Sequence, residues 1–229
     1  MMIAMIYVLG SIILIIVIVG PGLWAQHVLS RYSKETPAIT YTGQQFAQRL
    51  IEQFQLKGVK VEKTKAGTDH YDPISKCVRI GDNYYDQPSL TAITVAAHEV
   101  GHAIQDYTAH TGLRSRLKLV KFAQFAGQLG NGALIAAPIL GVVSKSPTVA
   151  FVIFGFAFLG FFTMVLVHLI TLPVEYDASF NRALPILKDA GYLNEQELSK
   201  ARRILKACAL TYVAQSLQSL LQLHRFIRR

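Results

Sequence analysis

The sequence predicts a mainly α-helical, integral-membrane protein in which transmembrane helices carry a small α+β unit. Three observations predict it. Apolar residues make up 52% of the 229 and charged residues only 16%, with a mean hydropathy of +0.33, whereas soluble globules have about 45–50% and about 25%. Three long runs carry almost no charge, and between the first and second lies a stretch whose apolar residues follow helix and strand periods. The excess of 23 basic over 14 acidic residues, a formal charge of +9, does not indicate nucleic acid. The basic residues cluster beside the apolar runs, with no nucleic-acid motif around them, as expected of a chain resting against anionic lipid.

Residues 3–23, beginning IAMIYVLGSIILIIVIV, hold no charge and at about 20 residues are long enough to cross about 30 Å of hydrocarbon. A cleavable leader would need a basic start and a shorter apolar run, and neither is present. Residues 24–121 form the α+β unit. TGQQFAQRLIEQFQL spaces Phe46, Leu50 and Phe54 four apart behind Thr42, a helix with an N-cap. GVKVEKT alternates as a strand, the DHYDP region reads as a turn, and KCVRIGD is a second strand, so the two strands are expected to form a β-hairpin. From Ser89 a long helix runs through SLTAITVAAHEVGHAIQDY.

Residues 122–143 and 148–171 are two further spans joined by the short SKSP link, hence a transmembrane hairpin. Its Gly/Ala-rich first member suits close packing in lipid. Arg31, Lys34, Arg114, Arg116, Lys118 and Lys121 flank the spans on one side and Lys145 stands alone on the other. The basic side is expected to face the cytoplasm, in the cell membrane of a multi-pass protein, so the 24–121 unit is cytoplasmic. Cys77 and Cys208 then sit in a reducing compartment as buried apolar residues. Residues 172–229 supply further helices. Thr211, Gln215, Gln218, Gln222 and Arg225 make one polar stripe on the last, which is expected at the interface or packed on the bundle. No repeat or linker divides residues 1–229, which read as a single membrane-embedded domain.

Within VAAHEVGHAIQ, His98 and His102 stand four apart, so on a helix they are about 40° and about 6 Å from each other and project from one face. Two imidazoles can then hold one ion. Glu99, about 100° round the helix, can lie beside that ion and take a proton from bound water without being a ligand. The competing reading is a core helix with two satisfied histidines. Against it, the surrounding Ala96, Ala97, Val100, Ala103 and Ile104 are apolar, and burying two His and a Glu among them costs several kcal/mol, of order 2–7 per unpaired group, unless they are paired or metal-bound.

A catalytic zinc needs a third protein ligand and an open position. In LPVEYDASFNRAL, Pro173 suits a helix start, Glu175 falls in its first turn, and Ser179 lies four residues on. The hairpin returns Glu175 to the membrane side that holds His98 and His102. The alternative is that Glu175 and Asp177 merely favour a helix N-terminus.

These motifs, with the DHYDP turn, resemble the YugP-type membrane zinc metallopeptidases, the neutral zinc peptidase or Zn-peptidase 2 family, over nearly the whole chain. The pattern is also distantly similar to the HtpX-type and CAAX-prenyl-type peptidases. The resemblance implies a zincin-like catalytic unit with one Zn2+ per chain on His98, His102 and Glu175, and Glu99 as catalytic base. The chain departs from the HtpX-like pattern in one place: an Asp that would orient a zinc histidine is replaced by Ser179. Either Ser179 does this, or a carboxylate such as Asp106, Asp72 or Asp69 does.

The implied activity is hydrolysis of peptide bonds in a protein or peptide substrate, membrane proteins among them. Tyr176, Arg182, His110 and Tyr107 are candidate donors to the oxyanion. His70 is a candidate substrate contact, and strand 76–81 a candidate edge along which substrate could lie. His27, His168 and His224 carry no such signal. The alternative function is a non-catalytic zinc-containing membrane adaptor, which would need neither Glu99 nor an open metal position. A transporter finds little support, since the spans hold few charges and no inverted repeat.

Overall fold

The computed structural model describes the backbone of residues 2–38 and 40–221 and most side chains between 19 and 211. His224, Arg225 and the RFIRR tail lie outside the described residues, as do the side chains of His168, Gln215 and Gln218. The described chain is mainly helical with one small sheet.

Helix α1 (Met2–Tyr32) leads to α2 (Gly43–Gln53), and α2 is closed by a reciprocal cap: Gln45 N–H donates to Thr42 Oγ1 while Thr42 N–H donates to Gln45 Oε1. Its Phe46 and Leu50 are fully buried. Strands β1 (Lys60–Thr64), β2 (His70–Asp72) and β3 (Cys77–Gly81) form a sheet of order β1-β3-β2. The expected hairpin between β1 and β3 is not what forms. They run parallel, Lys60 opposite Cys77 through Thr64 opposite Gly81, and the antiparallel partner of β3 is β2. The DHYDP region, expected as a turn, is therefore partly strand. Three residues are too few to show alternation in sequence, although Tyr71 is buried between two half-buried neighbours. The strand at 77–81 is consequently central and its backbone paired on both sides, so it is not the edge along which a substrate could pair.

After the short α3 (Asp82–Tyr85), Ser89 caps α4 (Leu90–Tyr107), accepting from Ala92 N–H. This helix is the centre of the molecule. Leu90, Ile93, Ala96, Ala97 and Val100 pack with Phe46 and Leu50 of α2, Val78 and Ile80 of β3, and Val28 and Tyr32 of α1. Each fully buried large side chain contributes about 1.5–3 kcal/mol.

Helices α5 (Thr111–Ser144) and α6 (Pro147–Tyr176) form the long antiparallel hairpin, turning through Lys145 in the left-handed region at φ 51°. They approach closely where a Cβ on Gly160 would stand 2.7 Å from Ala126 O. Among the described residues, α5 is the helix long and apolar enough to cross a membrane, and α6 adds the apolar stretch Pro147–Gly160. Phe122, Phe125, Phe151, Phe154, Phe156 and Phe158 are exposed along the pair.

A second expectation also needs correcting, because no new helix starts at Pro173. Pro173 lies inside α6, Glu175 is in the last turn of α6, and the chain passes without a break into a π-helical segment (Asp177–Ala183) and then α7 (Leu184–Asp189). Proline is costly inside a helix but is tolerated where neighbouring helices support the freed backbone. The widened turn of a π-helix, with its i→i+5 bonds, is a frequent feature of functional sites, and this one packs directly on α4. Last, α8 (Glu195–Leu221) is capped by Asn194 and Glu197. It packs along α1, α4 and α6, with Ile204 and Leu205 fully buried in the core. Cys77 and Cys208 are both buried free thiols.

Candidate metal centre

His98 and His102 sit on adjacent turns of α4, their rings 4.8 Å apart between centroids and 76° between planes. Glu175, from the end of α6, reaches between them: its Oε2 lies 3.4 Å from His98 Nε2 and 3.2 Å from His102 Nε2. One ligand atom from each of the three falls within 4.8 Å of the others. All are buried, His98 at 2% exposure, His102 at 3% and Glu175 at 0%.

The outer atoms of the three groups are each held by a further partner. His98 Nδ1 lies 3.1 Å from Ser179 Oγ, and that hydroxyl donates onward to Leu205 O at 3.4 Å, so His98 Nδ1–H is the donor. His102 Nδ1 lies 2.9 Å from Gln105 Oε1, while the Gln105 amide donates to Val174 O at 2.9 Å and Asp177 Oδ2 at 2.8 Å. Each imidazole's Nδ1 is thereby committed and its Nε2 turned inward to Glu175 Oε2, where it can give up the proton it shares with that carboxylate and offer a lone pair to a metal. Glu175 Oε1, on the far side from the histidines, accepts from Arg116 Nη1 at 2.5 Å. Burial raises the Glu175 carboxyl, but the charge and hydrogen bonds of His102, the hydrogen bond of His98 and the charge of Arg116 outweigh it and hold the group well below the usual carboxylate range. An anionic oxygen and two neutral nitrogens are a donor set that fits zinc.

Glu99 lies beside this group on α4 at 5% exposure. Burial pushes its carboxyl up to about 7; His98 pulls it down, Asp69 and Glu175 push it further up, and Arg116 opposes them. A carboxylate poised there suits proton transfer near neutrality.

The other residues singled out in the sequence take separate places. Ser179, fully buried, is at His98. Asp106 accepts from the Tyr71 hydroxyl at 2.9 Å and so ties β2 to α4. Asp72 binds Arg79 and Ser75, and Asp69 accepts from Gly81 N–H. None of the three carboxylates is bonded to His98 or His102. Tyr176 is 57% exposed and stacks on Phe180, and Tyr107 is 56% exposed. Arg182 is bonded to Asp177, which His110 Nε2 approaches to 3.9 Å. His70 has its ring nitrogens at Thr68 O and Arg79, and His27 is exposed.

Two residues at the site escaped sequence reasoning. Gln105 is fully buried three residues after His102, and its signal was present: a lone amide on the histidine face of an apolar helix. Arg116 carried no signal that separates it from its basic neighbours. Gly101, within the motif, has a packing reason, since a Cβ there would meet Ala178 O at 2.8 Å. It lets α4 lie against the segment that carries Ser179.

Residues 6–229 match the family model described as "Putative neutral zinc metallopeptidase". The chain is 35% identical over 221 residues to "Putative membrane protease YugP" of Bacillus subtilis (strain 168), an alignment covering 94% of each protein. No solved structure matches.

Proposed function

The chain belongs to the neutral zinc metallopeptidase family, and from that premise we propose that it is a membrane-bound zinc endopeptidase in which His98, His102 and Glu175 hold one zinc and Glu99 is the general base. The observation that carries this reading is the convergence of two Nε2 atoms and one carboxylate oxygen, with each imidazole's Nδ1–H already committed. A zinc ion there would lower the pKa of a bound water to about 7 and polarise a peptide carbonyl. The chain's own residues do the rest. Glu99 as carboxylate accepts a proton and later hands it to the leaving amine. Ser179 and Gln105 keep the imidazoles from turning, so that orientation is set before substrate arrives. The nearly complete burial of Glu99 means that a peptide must displace the side chains now covering it.

The substrate is a protein or peptide, membrane proteins included. In this reading residues 1–229 act as one membrane-embedded domain that crosses the cell membrane through 3–23, 122–143 and 148–171, with the 24–121 unit and the site on the cytoplasmic side. The basic residues bordering α5 and the bare phenylalanines of the α5–α6 hairpin support it. The purified protein should hold about one zinc per chain, as a three-residue ligand set with an open position does, and cleave a casein-like substrate. Glu99→Gln should abolish cleavage and retain the metal. Proteolysis undiminished in that variant would sink the assignment.

A further inference from the structure

Four basic residues lead into the apolar part of α5: Arg114, Arg116, Lys118 and Lys121. Arg114, Lys118 and Lys121 are exposed, as cations bordering a lipid surface should be, whereas the Arg116 side chain is only 15% exposed and turns inward to Glu175. The two oxygens of Glu175 are thereby divided. Oε2 faces the two imidazoles and Oε1 faces the guanidinium.

We propose that Arg116 is a positioning residue for the metal site, one that holds Oε1 so that Glu175 offers a single oxygen to the ion. A carboxylate can close on a metal with one oxygen or with both. If both were used, Glu175 would take a position that a hydrolytic site has to leave for water and the substrate carbonyl. The guanidinium is always charged and has no acceptor, so it can only donate, and its charge-assisted bond at Oε1 holds that oxygen on the side away from the imidazoles. The arrangement also explains why a charge of the membrane-bordering set is withdrawn from the surface. Arg116 comes from α5 and Glu175 from α6, so the first member of the long hairpin orients the ligand that the second member supplies.

The proposal rests on the zinc reading, and its test separates the two. The full-length protein in mild detergent, stripped of metal, is titrated with Co2+, whose visible absorption is intense for four-coordinate and weaker for five-coordinate sites, and with Zn2+ against a chelator. The wild type is expected to take up one Co2+ with intense bands. Arg116→Leu is expected to bind Zn2+ about 10- to 100-fold more weakly, the range typical for loss of a ligand's supporting partner, with weakened Co2+ bands. Arg116→Lys should restore the band intensity, since it keeps a cationic donor. The metal-free proteins are compared by thermal melting, which a purely structural ion pair would move and Co2+ bands would not follow. Should Arg116→Leu fail to fold, Arg116→Met, which likewise has no donor, carries the same comparison. Wild-type bands and affinity in the Leu or Met variant would overturn the role of Arg116 and leave the zinc reading standing. Failure of the wild type to bind either ion would remove both.

Discussion

Glu99→Gln should change the pH dependence of stability in the metal-free protein, and its size follows from burial. Glu99 is 5% exposed, and burial moves its carboxyl from the ordinary 4.5 up to about 7 in the fold. A folded-state pKa above the unfolded one means that the folded protein binds the proton more tightly. The stability this contributes is present in full below about 4.5 and is lost as pH rises through about 7. At about 1.4 kcal/mol per pH unit of separation, the loss amounts to about 3 kcal/mol. The amide cannot ionise, so the variant lacks this slope while every other titrating group is retained. Denaturant unfolding of chelator-treated protein in mild detergent, at about pH 4 and about pH 8, measures it. The wild type should lose about 3 kcal/mol more than Glu99→Gln between the two conditions. Parallel losses would refute the reasoning, because they would place the Glu99 carboxylate in water instead of in the core.

Gln105→Leu deprives His102 Nδ1, Val174 O and Asp177 of one shared partner and should weaken zinc about 10- to 100-fold in chelator competition. Gly101→Ala puts a methyl 2.8 Å from Ala178 O, costing about 1–3 kcal/mol; the melting temperature should fall and zinc should weaken with it, because Ala178 precedes Ser179. The Asp177 carboxyl, raised by burial but lowered more by Gln105, Arg182 and Asn181, rests at about 2 against an ordinary 3.8. Its stabilisation, at most about 2 kcal/mol, is present above about 3.8 and lost as pH falls through about 2. Asp177→Asn should therefore be less stable at pH 6 and flatter below pH 4 in the same unfolding assay.

Much of the fold was legible because local rules agreed with each other. Thr42 and Ser89 mark their helices by side-chain caps that form as the sequence predicts. The long apolar runs of α5 and α6 with a two-residue link leave no arrangement but a hairpin. What misled was pairing and continuity. Two strands separated by a turn signal look like a hairpin, yet the three residues of β2 take the antiparallel place beside β3 and leave β1 parallel. Pro173 looks like a helix start, yet α6 runs through it to bring Glu175 down onto α4. Partner choice depends on which faces are available elsewhere in the chain, and no window of local sequence contains that information.

By itself the sequence determined the chemistry on offer: two imidazoles and a carboxylate on one apolar helix, with a further carboxylate returned to the same side by the hairpin. Spacing along a helix sets which side chains share a face, and that is a property of neighbours in the chain. Only the tertiary structure decided who holds those groups in place. Ser179 serves His98 in place of the absent aspartate, Gln105 serves His102, and Arg116, indistinguishable in sequence from the basic residues around it, turns in to Glu175. A hydrogen bond across α4, α5, α6 and α8 depends on distances of a few tenths of an ångström between elements many residues apart, and packing alone fixes those.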